Sequence, residues 1–209
     1  RYYRNNTAGT IGLLEGLDLA AARGQSVRRF VFSSTCATYG EPPAGLVPIS
    51  EDCPQRPINP YGWSKLQCER LLLDYADACK RHGREFGVAM LRYFNVAGCD
   101  RSGVLGEDHT PETHLIPVCV QSLLGTRQHF GGGDARAVTI FGTDYPTGDG
   151  TCIRDYVHVE DLIDAHVLVL GALHTGERRA YNLGIGRGYS VRQIIDSVQR
   201  VSGRTIDVI

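Results

Sequence analysis

The sequence predicts an α/β fold with a parallel sheet, and three observations lead to this prediction. Short apolar runs at 29–33 and 88–93 have the length and composition of buried strands. Segments with apolar residues at helical spacing lie at about 5–23 and 60–82. A strand, a long helix and another strand in succession favour a right-handed crossover. The expected sheet is therefore of the Rossmann type, with a smaller second α/β domain after it.

The first half supplies the clearest elements. Apolar residues from Ile11 to Ala21 recur at helical spacing and define the helix at about 5–23. Pro60 suits the first turn of the helix at about 60–82, because the fixed φ of proline favours that position. Apolar residues extend around more than one face of that second helix, which predicts burial on two sides.

The second half alternates less regularly. Ser190, followed three residues later by Gln193, forms a capping box that marks the start of the last helix. The elements expected there are a helix at about 113–125, a strand near 138–141, a helix at about 160–173, a strand at 181–183 and a helix at about 191–202.

Two glycine-rich segments are interpreted as a turn and a loop rather than as phosphate sites. Gly184, Gly186 and Gly188 lack the glycine spacing of a dinucleotide-binding fingerprint. The run at 131–133 is followed by neither a helix nor a lysine, which a phosphate cradle would use.

Composition excludes several classes of function. A formal net charge of -1 gives no basic surface for nucleic acid, and no apolar run approaches the ~20 residues that cross a bilayer. The seven cysteines are scattered and form no C-x-x-C pair, which favours reduced thiols in a cytoplasmic protein. The seven histidines also lack metal-site spacing, so no metal is expected. His158 and His166 are interpreted as core or rim residues.

Tyr61 and Lys65 carry the strongest chemical signal. Four residues apart on a helix, they project from one face, so a phenol and an ammonium share one space. A tyrosine titrates near pH ~10, and one cation about 4 Å away can supply the ~4 kcal/mol that brings its pKa toward neutrality. The alternative is a core tyrosine beside a solvated lysine. The hydroxyl-rich sequence at 33–35 favours chemistry, because ligands gather where parallel strands end.

Several segments, taken together, resemble one enzyme family over nearly the whole chain. They are YYRNN at 2–6, FSSTCATYG at 32–40, NPYGWSK at 59–65, LRYFN at 91–95, GED at 106–108, FGTDYP at 141–146, DGT at 149–151, RDYVHV at 154–159 and YNLG at 181–184. Their order resembles the extended short-chain dehydrogenase/reductase family, and within it the epimerases that act at C4 of UDP-hexoses.

The resemblance implies NAD as the cofactor and assigns three catalytic residues. Tyr61 is the implied base, Lys65 holds the nicotinamide ribose and lowers the pKa of Tyr61, and Thr35 supplies a hydroxyl beside the sugar C4 oxygen. Cofactor contacts are implied for Asn5, Ser33, Ser34, Thr35, Tyr61, Lys65 and Phe94.

The resemblance also implies a site for a UDP-sugar. Arg154 suits a phosphate, because a guanidinium can donate two parallel hydrogen bonds. Alternatively, Arg154 forms a surface ion pair with Asp155, and Phe94 and Phe141 pack in a core. The residues implied for the sugar nucleotide are Thr35, Asn95, His114, Leu115, Thr139, Ile140, Phe141, Arg154 and Tyr156.

The implied reaction is epimerisation at C4 through a transient 4-keto sugar, with a hydride passing to NAD and back. Related 4,6-dehydratases carry an Asp-Glu pair just after the active-site threonine, whereas Cys36 and Ala37 stand here. The alternatives are an epimerase of UDP-arabinose or UDP-glucuronate, a reductase of a small carbonyl compound, and a catalytically silent nucleotide-binding or dimerisation module.

The resemblance also predicts how the chain is organised. Residues 1–100 are expected to form the C-terminal part of an NAD-binding domain, and 101–209 mainly a nucleotide-sugar domain, with about 152–175 returning to the first. A glycine-rich turn for the NAD pyrophosphate is not found, so we expect a fragment that lacks the first βαβ unit. We expect this fragment alone to bind NAD poorly. A homodimer through the helices at 5–23 and 60–82 is implied, without a nucleic acid or membrane partner.

Overall fold

The computed structural model describes residues 1–126 and 137–209, which divide into two compact units. The first of these units starts at Arg1, and the chain returns to it between Glu160 and Gly184. The sequence predicts this return at about 152–175. The assignment of the units to NAD and to a nucleotide sugar stays a prediction. The first unit comprises Arg1–Val96 and Glu160–Gly184, and the second comprises Ala97–Val159 and Ile185–Ile209.

Every helix that the sequence predicts is present. The helices are α1 (Gly9–Ala22), α2 (Pro60–Arg81), α3 (Leu115–Leu124), α4 (Val159–Ala172) and α5 (Val191–Ser202), with a π-helical turn at Tyr3–Ala8 and short 3-10 turns at Cys36–Thr38 and Ala44–Leu46. The strands are β1 (Arg29–Ser33), β2 (Gly87–Tyr93), β3 (Asn95–Ala97), β4 (Ala137–Val138), β5 (Ile153–His158), β6 (Arg178–Leu183), β7 (Gly188–Ser190) and β8 (Asp207–Val208).

The first unit is built on a parallel sheet in the order β1-β2-β6. In its register Phe30 pairs with Val88, and Met90 pairs with Ala180. The central strand β2 is buried over its first six residues, which is why its sequence is almost continuously apolar. The predicted α/β fold with a parallel sheet is confirmed.

Helix α2 packs against this sheet and has a well-defined start. The side chain of Asn59 accepts a hydrogen bond from the backbone N–H of Gly62 at 2.8 Å and caps the helix. Pro60 stands in the first turn, as the sequence predicts. Further along the helix, Leu72 joins the hydrophobic core with Val88. The cap therefore fixes where the helix begins, and the core fixes its rotation.

Helix α1 contributes less to the core. Leu14 is its one buried residue, and Leu17 packs partly against the same cluster. Ile11, Leu13 and Leu19 are exposed. The helix therefore carries apolar side chains on more than its core-facing side.

The second unit has its own core between α3 and α5. Strands β4 and β8 pair in parallel, and β5 pairs antiparallel with β7. The predicted capping box is confirmed, because the Ser190 hydroxyl accepts from Gln193 N at 3.1 Å and the Gln193 side chain accepts from Ser190 N at 2.9 Å. The buried residues of this core are Cys119, Val138, Ile195 and Ile206.

The strand predicted near 138–141 is shorter than expected. It comprises Ala137–Val138, although Ile140 N still donates to the Ile209 carbonyl oxygen at 2.8 Å. The glycine run at 131–133 lies outside the described residues. Within the described ranges, no helix combines the length and the hydropathy needed to cross a membrane.

Candidate active site

Helix α2 and the end of strand β1 bring together the three residues with the strongest chemical signal. Thr35 lies just after β1, and its side chain lies close enough to the phenol of Tyr61, in the first turn of α2, to act on the pKa of that phenol. Lys65, one turn later, donates from Nζ to the Ser33 carbonyl oxygen at 2.8 Å. A hydroxyl, a phenol and an ammonium therefore meet at the carboxyl end of a parallel strand.

The orientation of Thr35 is set by the short turn that follows it. Its hydroxyl oxygen accepts from Ala37 N at 3.2 Å, and its carbonyl oxygen accepts from the Thr38 hydroxyl at 3.0 Å. Because a threonine hydroxyl both accepts and donates, the proton of Thr35 is available to the phenol of Tyr61. Thr35 is almost fully buried, so this arrangement is protected from bulk water.

Gly62 allows the start of α2 to approach this turn. A Cβ atom at position 62 would lie 2.4 Å from the Ala37 carbonyl oxygen, a separation that non-bonded atoms do not adopt. The missing side chain therefore brings Tyr61, the preceding residue, within reach of Thr35.

We expect Gly62→Ala to destabilise the protein by about 1–3 kcal/mol, because the added methyl group would have to displace backbone atoms. Denaturant unfolding measures this cost. The control is Gly16→Ala in α1, where an added Cβ meets no atom within 4 Å. That change should be neutral or stabilising by up to about 1 kcal/mol. Equal unfolding free energies for the two variants would contradict the close approach.

Burial controls the acidity of Tyr61. It raises the pKa of the phenol, Tyr93 adds to the rise, and the side chain of Thr35 acts to lower it. Lys65 Nζ lies 6.0 Å from the Tyr61 ring centroid. The prediction that Lys65 lowers the pKa of Tyr61 is wrong for this arrangement, because burial is the largest influence and raises that pKa. Burial also lowers the pKa of Lys65 itself.

His166, which the sequence predicts to be a core or rim residue, lies beside the site. Its Nδ1 lies 2.8 Å from the Leu162 carbonyl oxygen, which can only accept, so Nδ1 carries the proton. Its Nε2 lies 2.9 Å from the Ser33 hydroxyl and accepts a hydrogen bond from it when the ring is neutral. These partners are 133 residues apart, and no local pattern in the sequence connects them.

The other residues predicted to contact the cofactor occupy different environments. The Ser34 hydroxyl is fully buried and donates to Glu69, so it is engaged within the core. Asn5 lies exposed in the first π-helical turn. Phe94 is half-buried after β2, with its backbone N–H bonded to Leu183. Asn95 begins β3.

Most residues predicted for the sugar nucleotide belong to the second unit. His114 stands immediately before α3, without a side-chain hydrogen bond to the first turn, and Leu115 begins that helix. Phe141 is 88% exposed, so the alternative that it packs in a core is wrong. Arg154 is exposed on β5, and burial raises the pKa of Tyr156 on the same strand. The remaining pair follows β4 and is half-buried: Thr139 and Ile140.

Asp155 organises the glycine-rich turn before β7. Its carboxylate accepts hydrogen bonds from the backbone N–H groups of Ile185 and Gly186, both at 2.9 Å. Gly186 has φ of 78°, a conformation that favours glycine. The interpretation of Gly184–Gly188 as a turn is confirmed.

Among the described residues, one group has ligand atoms close enough for a metal ion: Glu107, His109, Glu112 and His114, whose atoms lie within 4.8 Å of one another. Hydrogen bonds explain this arrangement. Glu112 Oε1 accepts from the backbone N–H groups of Thr113 and His114, each at 2.7 Å, and lies 3.0 Å from His114 Nδ1. Burial acts to raise the pKa of Glu112, but these hydrogen bonds outweigh it and lower the pKa. The carboxylate therefore binds the backbone of the two residues that precede α3.

A family model and individual relatives point to the same group of proteins. The sequence model described as the NAD dependent epimerase/dehydratase family matches residues 1–184. UDP-glucose 4-epimerase of Rhizobium meliloti is 45% identical over 210 residues, covering 99% of this chain and 57% of the relative. The enzyme of that name from Azospirillum brasilense is 49% identical over 206 residues, covering 98% and 53%. The chain thus spans little more than half the length of these curated relatives.

Solved structures agree with the sequence relatives. UDP-glucose 4-epimerase from Brucella ovis, in complex with NAD, superimposes with a TM-score of 0.84 at 44% identity, covering 100% of this chain and 58% of that one. The enzyme from Bifidobacterium longum, in complex with NAD+ and UDP, gives a TM-score of 0.83 at 34% identity, covering 100% and 57%.

Proposed function

Because this chain belongs to the NAD dependent epimerase/dehydratase family, we propose that it forms the catalytic part of an enzyme that interconverts UDP-hexoses at C4. The substrates proposed are UDP-glucose and UDP-galactose. The observation that carries the proposal is the meeting of Thr35, Tyr61 and Lys65 at the end of β1. Relatives that are 45% identical and named for this reaction support it.

NAD is the proposed cofactor, and the residues of the first unit fit it. The ammonium of Lys65 has three donors and gives one to the Ser33 carbonyl, so the others can reach ribose hydroxyls. Asn5 and Phe94 are proposed as further contacts. When bound, NAD+ would accept the C4 hydride and add a positive charge to the site.

Tyr61 is proposed to exchange a proton with the C4 hydroxyl of the sugar. As the phenolate it takes the proton while C4 becomes a ketone, and as the phenol it returns the proton when the other epimer forms. Thr35 contacts Tyr61 and can donate a hydrogen bond to the same sugar oxygen. The burial of Thr35 and Tyr61 limits competing exchange with water.

The turn after Thr35 favours epimerisation over dehydration. Elimination of water needs an acid and a base beside the sugar, and Cys36 and Ala37 of the 3-10 turn carry no carboxyl group. Epimerisation needs only the reversible proton and hydride transfers. We therefore propose no net redox change and no loss of water.

We also propose that the protein forms a homodimer and acts in the cytoplasm. The apolar side chains that α1 exposes, including Ile11 and Leu19, support an interface through α1 and α2. The seven cysteines are free thiols, and four of them are buried, which suits a reducing compartment.

The test is conversion of UDP-galactose to UDP-glucose by the full-length protein without added NAD. We expect product to form with no net change in NADH absorbance, because the hydride returns to the sugar. Parallel assays measure the conversion of UDP-arabinose and of UDP-glucuronate, the substrates of the alternative epimerases, and compare these rates with the rate for UDP-galactose. Net consumption of NADH would instead support a reductase, and binding of a UDP-sugar without turnover would support a silent binding module.

A further inference from the structure

Three residues spaced by four along α2 contact the end of strand β1. Tyr61, Lys65 and Glu69 lie on one side of the helix, because residues four apart share a face. Their partners are three consecutive residues of the chain that leaves β1. The pairs are Lys65 with Ser33, Glu69 with Ser34, and Tyr61 with Thr35.

Glu69 is the most deeply buried of the three, with 1% of its surface exposed. Its carboxylate accepts from the Ser34 hydroxyl, from Arg92 Nε at 3.0 Å and Nη2 at 2.7 Å, and from Gln55 Nε2 at 2.9 Å. The two bonds from one guanidinium fix the plane of the carboxylate. A glutamine has only one acceptor oxygen and could not satisfy these donors.

Arg92 connects this carboxylate to the loop at 36–57. Its Nη1 donates to the Tyr39 hydroxyl at 2.8 Å and to the Glu51 carbonyl oxygen at 3.2 Å. Tyr39 in turn donates to Asn182 Oδ1 at 2.7 Å. The network therefore holds the loop to strands β2 and β6, and no buried side-chain nitrogen or oxygen of the described residues lacks a partner.

We propose that Glu69, held by Arg92, is a positioning residue that fixes Ser34 and thereby sets the Thr35 hydroxyl against the phenol of Tyr61. Successive Cα atoms are about 3.8 Å apart, so anchoring Ser34 restricts the position of the next residue. Glu69 thus aligns strand β1 with helix α2 at the site. The effect of Glu69 on catalysis rests on the proposed function, whereas its effect on the position of Thr35 does not.

The first experiment measures alignment without measuring turnover. Tyr61 is replaced by 3-fluorotyrosine, which titrates at lower pH than tyrosine, and its ionisation is followed by 19F NMR. Ser34→Ala removes the bond to Glu69 and leaves the ion pair with Arg92 in place, so the variant should fold. Thr35→Val removes the hydroxyl that acts to lower the pKa of the phenol, and the double variant combines both changes.

We expect Ser34→Ala to raise the pKa at position 61 in the same direction as Thr35→Val, because a misplaced Thr35 hydroxyl stabilises the phenolate less. In the Thr35→Val background, Ser34→Ala should cause no further shift. The control is Ser122→Ala, which removes another buried serine hydroxyl, on α3, and should leave the titration unchanged.

Two results would overturn the inference. One is an unchanged titration in Ser34→Ala, and the other is an equal shift by Ser34→Ala with and without the Thr35 hydroxyl. The second experiment is kinetic: Ser34→Ala should lower kcat about tenfold, the loss of roughly one hydrogen bond in the transition state, with KM for UDP-galactose little changed. If the wild type shows no turnover, the proposed function fails, while the NMR result still decides the alignment.

Discussion

Tyr61→Phe is expected to lower kcat for UDP-galactose conversion by about a hundredfold to ten-thousandfold, the usual contribution of a positioned acid or base. The change removes one oxygen from a half-buried ring and leaves its packing against Tyr2, at 5.5 Å between centroids, in place. The folded structure and NAD content should therefore be retained. Steady-state kinetics of the full-length protein measure the effect, with circular dichroism as the check on folding.

A matched control lies on the same helix. The hydroxyl of Tyr75 donates to Asp18 Oδ1 of α1 at 2.9 Å. Tyr75→Phe also removes one phenolic oxygen and should leave kcat within about twofold of the wild type. If Tyr61→Phe kept comparable activity, Tyr61 would not be the residue that exchanges the proton.

Glu69→Ala is expected to have the largest effect on stability, about 3–5 kcal/mol, because it leaves the buried Arg92 guanidinium without a countercharge. The two groups form an ion pair at 2.7 Å with side chains 7% and 2% exposed. Denaturant unfolding followed by fluorescence or circular dichroism measures the loss. The double variant Glu69→Leu/Arg92→Leu should recover part of it, since no buried charge remains.

An exposed ion pair of the same first unit provides the comparison. Asp77 pairs with Arg178 at the surface, with side chains 44% and 36% exposed. Asp77→Ala should cost far less than Glu69→Ala, because water solvates the remaining charge. If Glu69→Ala and Asp77→Ala lowered the free energy of unfolding equally, the pair of Glu69 and Arg92 would not be strongly desolvated.

The amino-acid sequence predicts structure best where the signal is local. The start of α2 follows from Asn59 and Pro60, and the start of α5 follows from Ser190 and Gln193, because caps depend on residues three or four apart. The parallel sheet follows from the alternation of apolar strands with helices. The family was evident from the order of short motifs and was confirmed by the match to residues 1–184.

The pKa of Tyr61 departs from the sequence prediction for a physical reason. Spacing along α2 places Lys65 on the same face as Tyr61, but it does not determine where the ammonium finds a hydrogen bond. The Ser33 carbonyl oxygen takes that bond, and burial of the phenol then raises its pKa. Burial and partner choice depend on neighbouring strands, which the helical pattern does not contain.

By itself the sequence determined the type and order of the elements, the positions of the phenol and the ammonium on one helix, and the family. Only the tertiary structure decided that Glu69 and Arg92 pair beneath the site, that His166 reaches Ser33, and that the chain leaves no room for a side chain at Gly62. Periodicity and caps act over a few residues, whereas these contacts join residues 23 and 133 positions apart, or pack backbone against backbone. Such contacts exist only once the parallel strands have brought distant segments together.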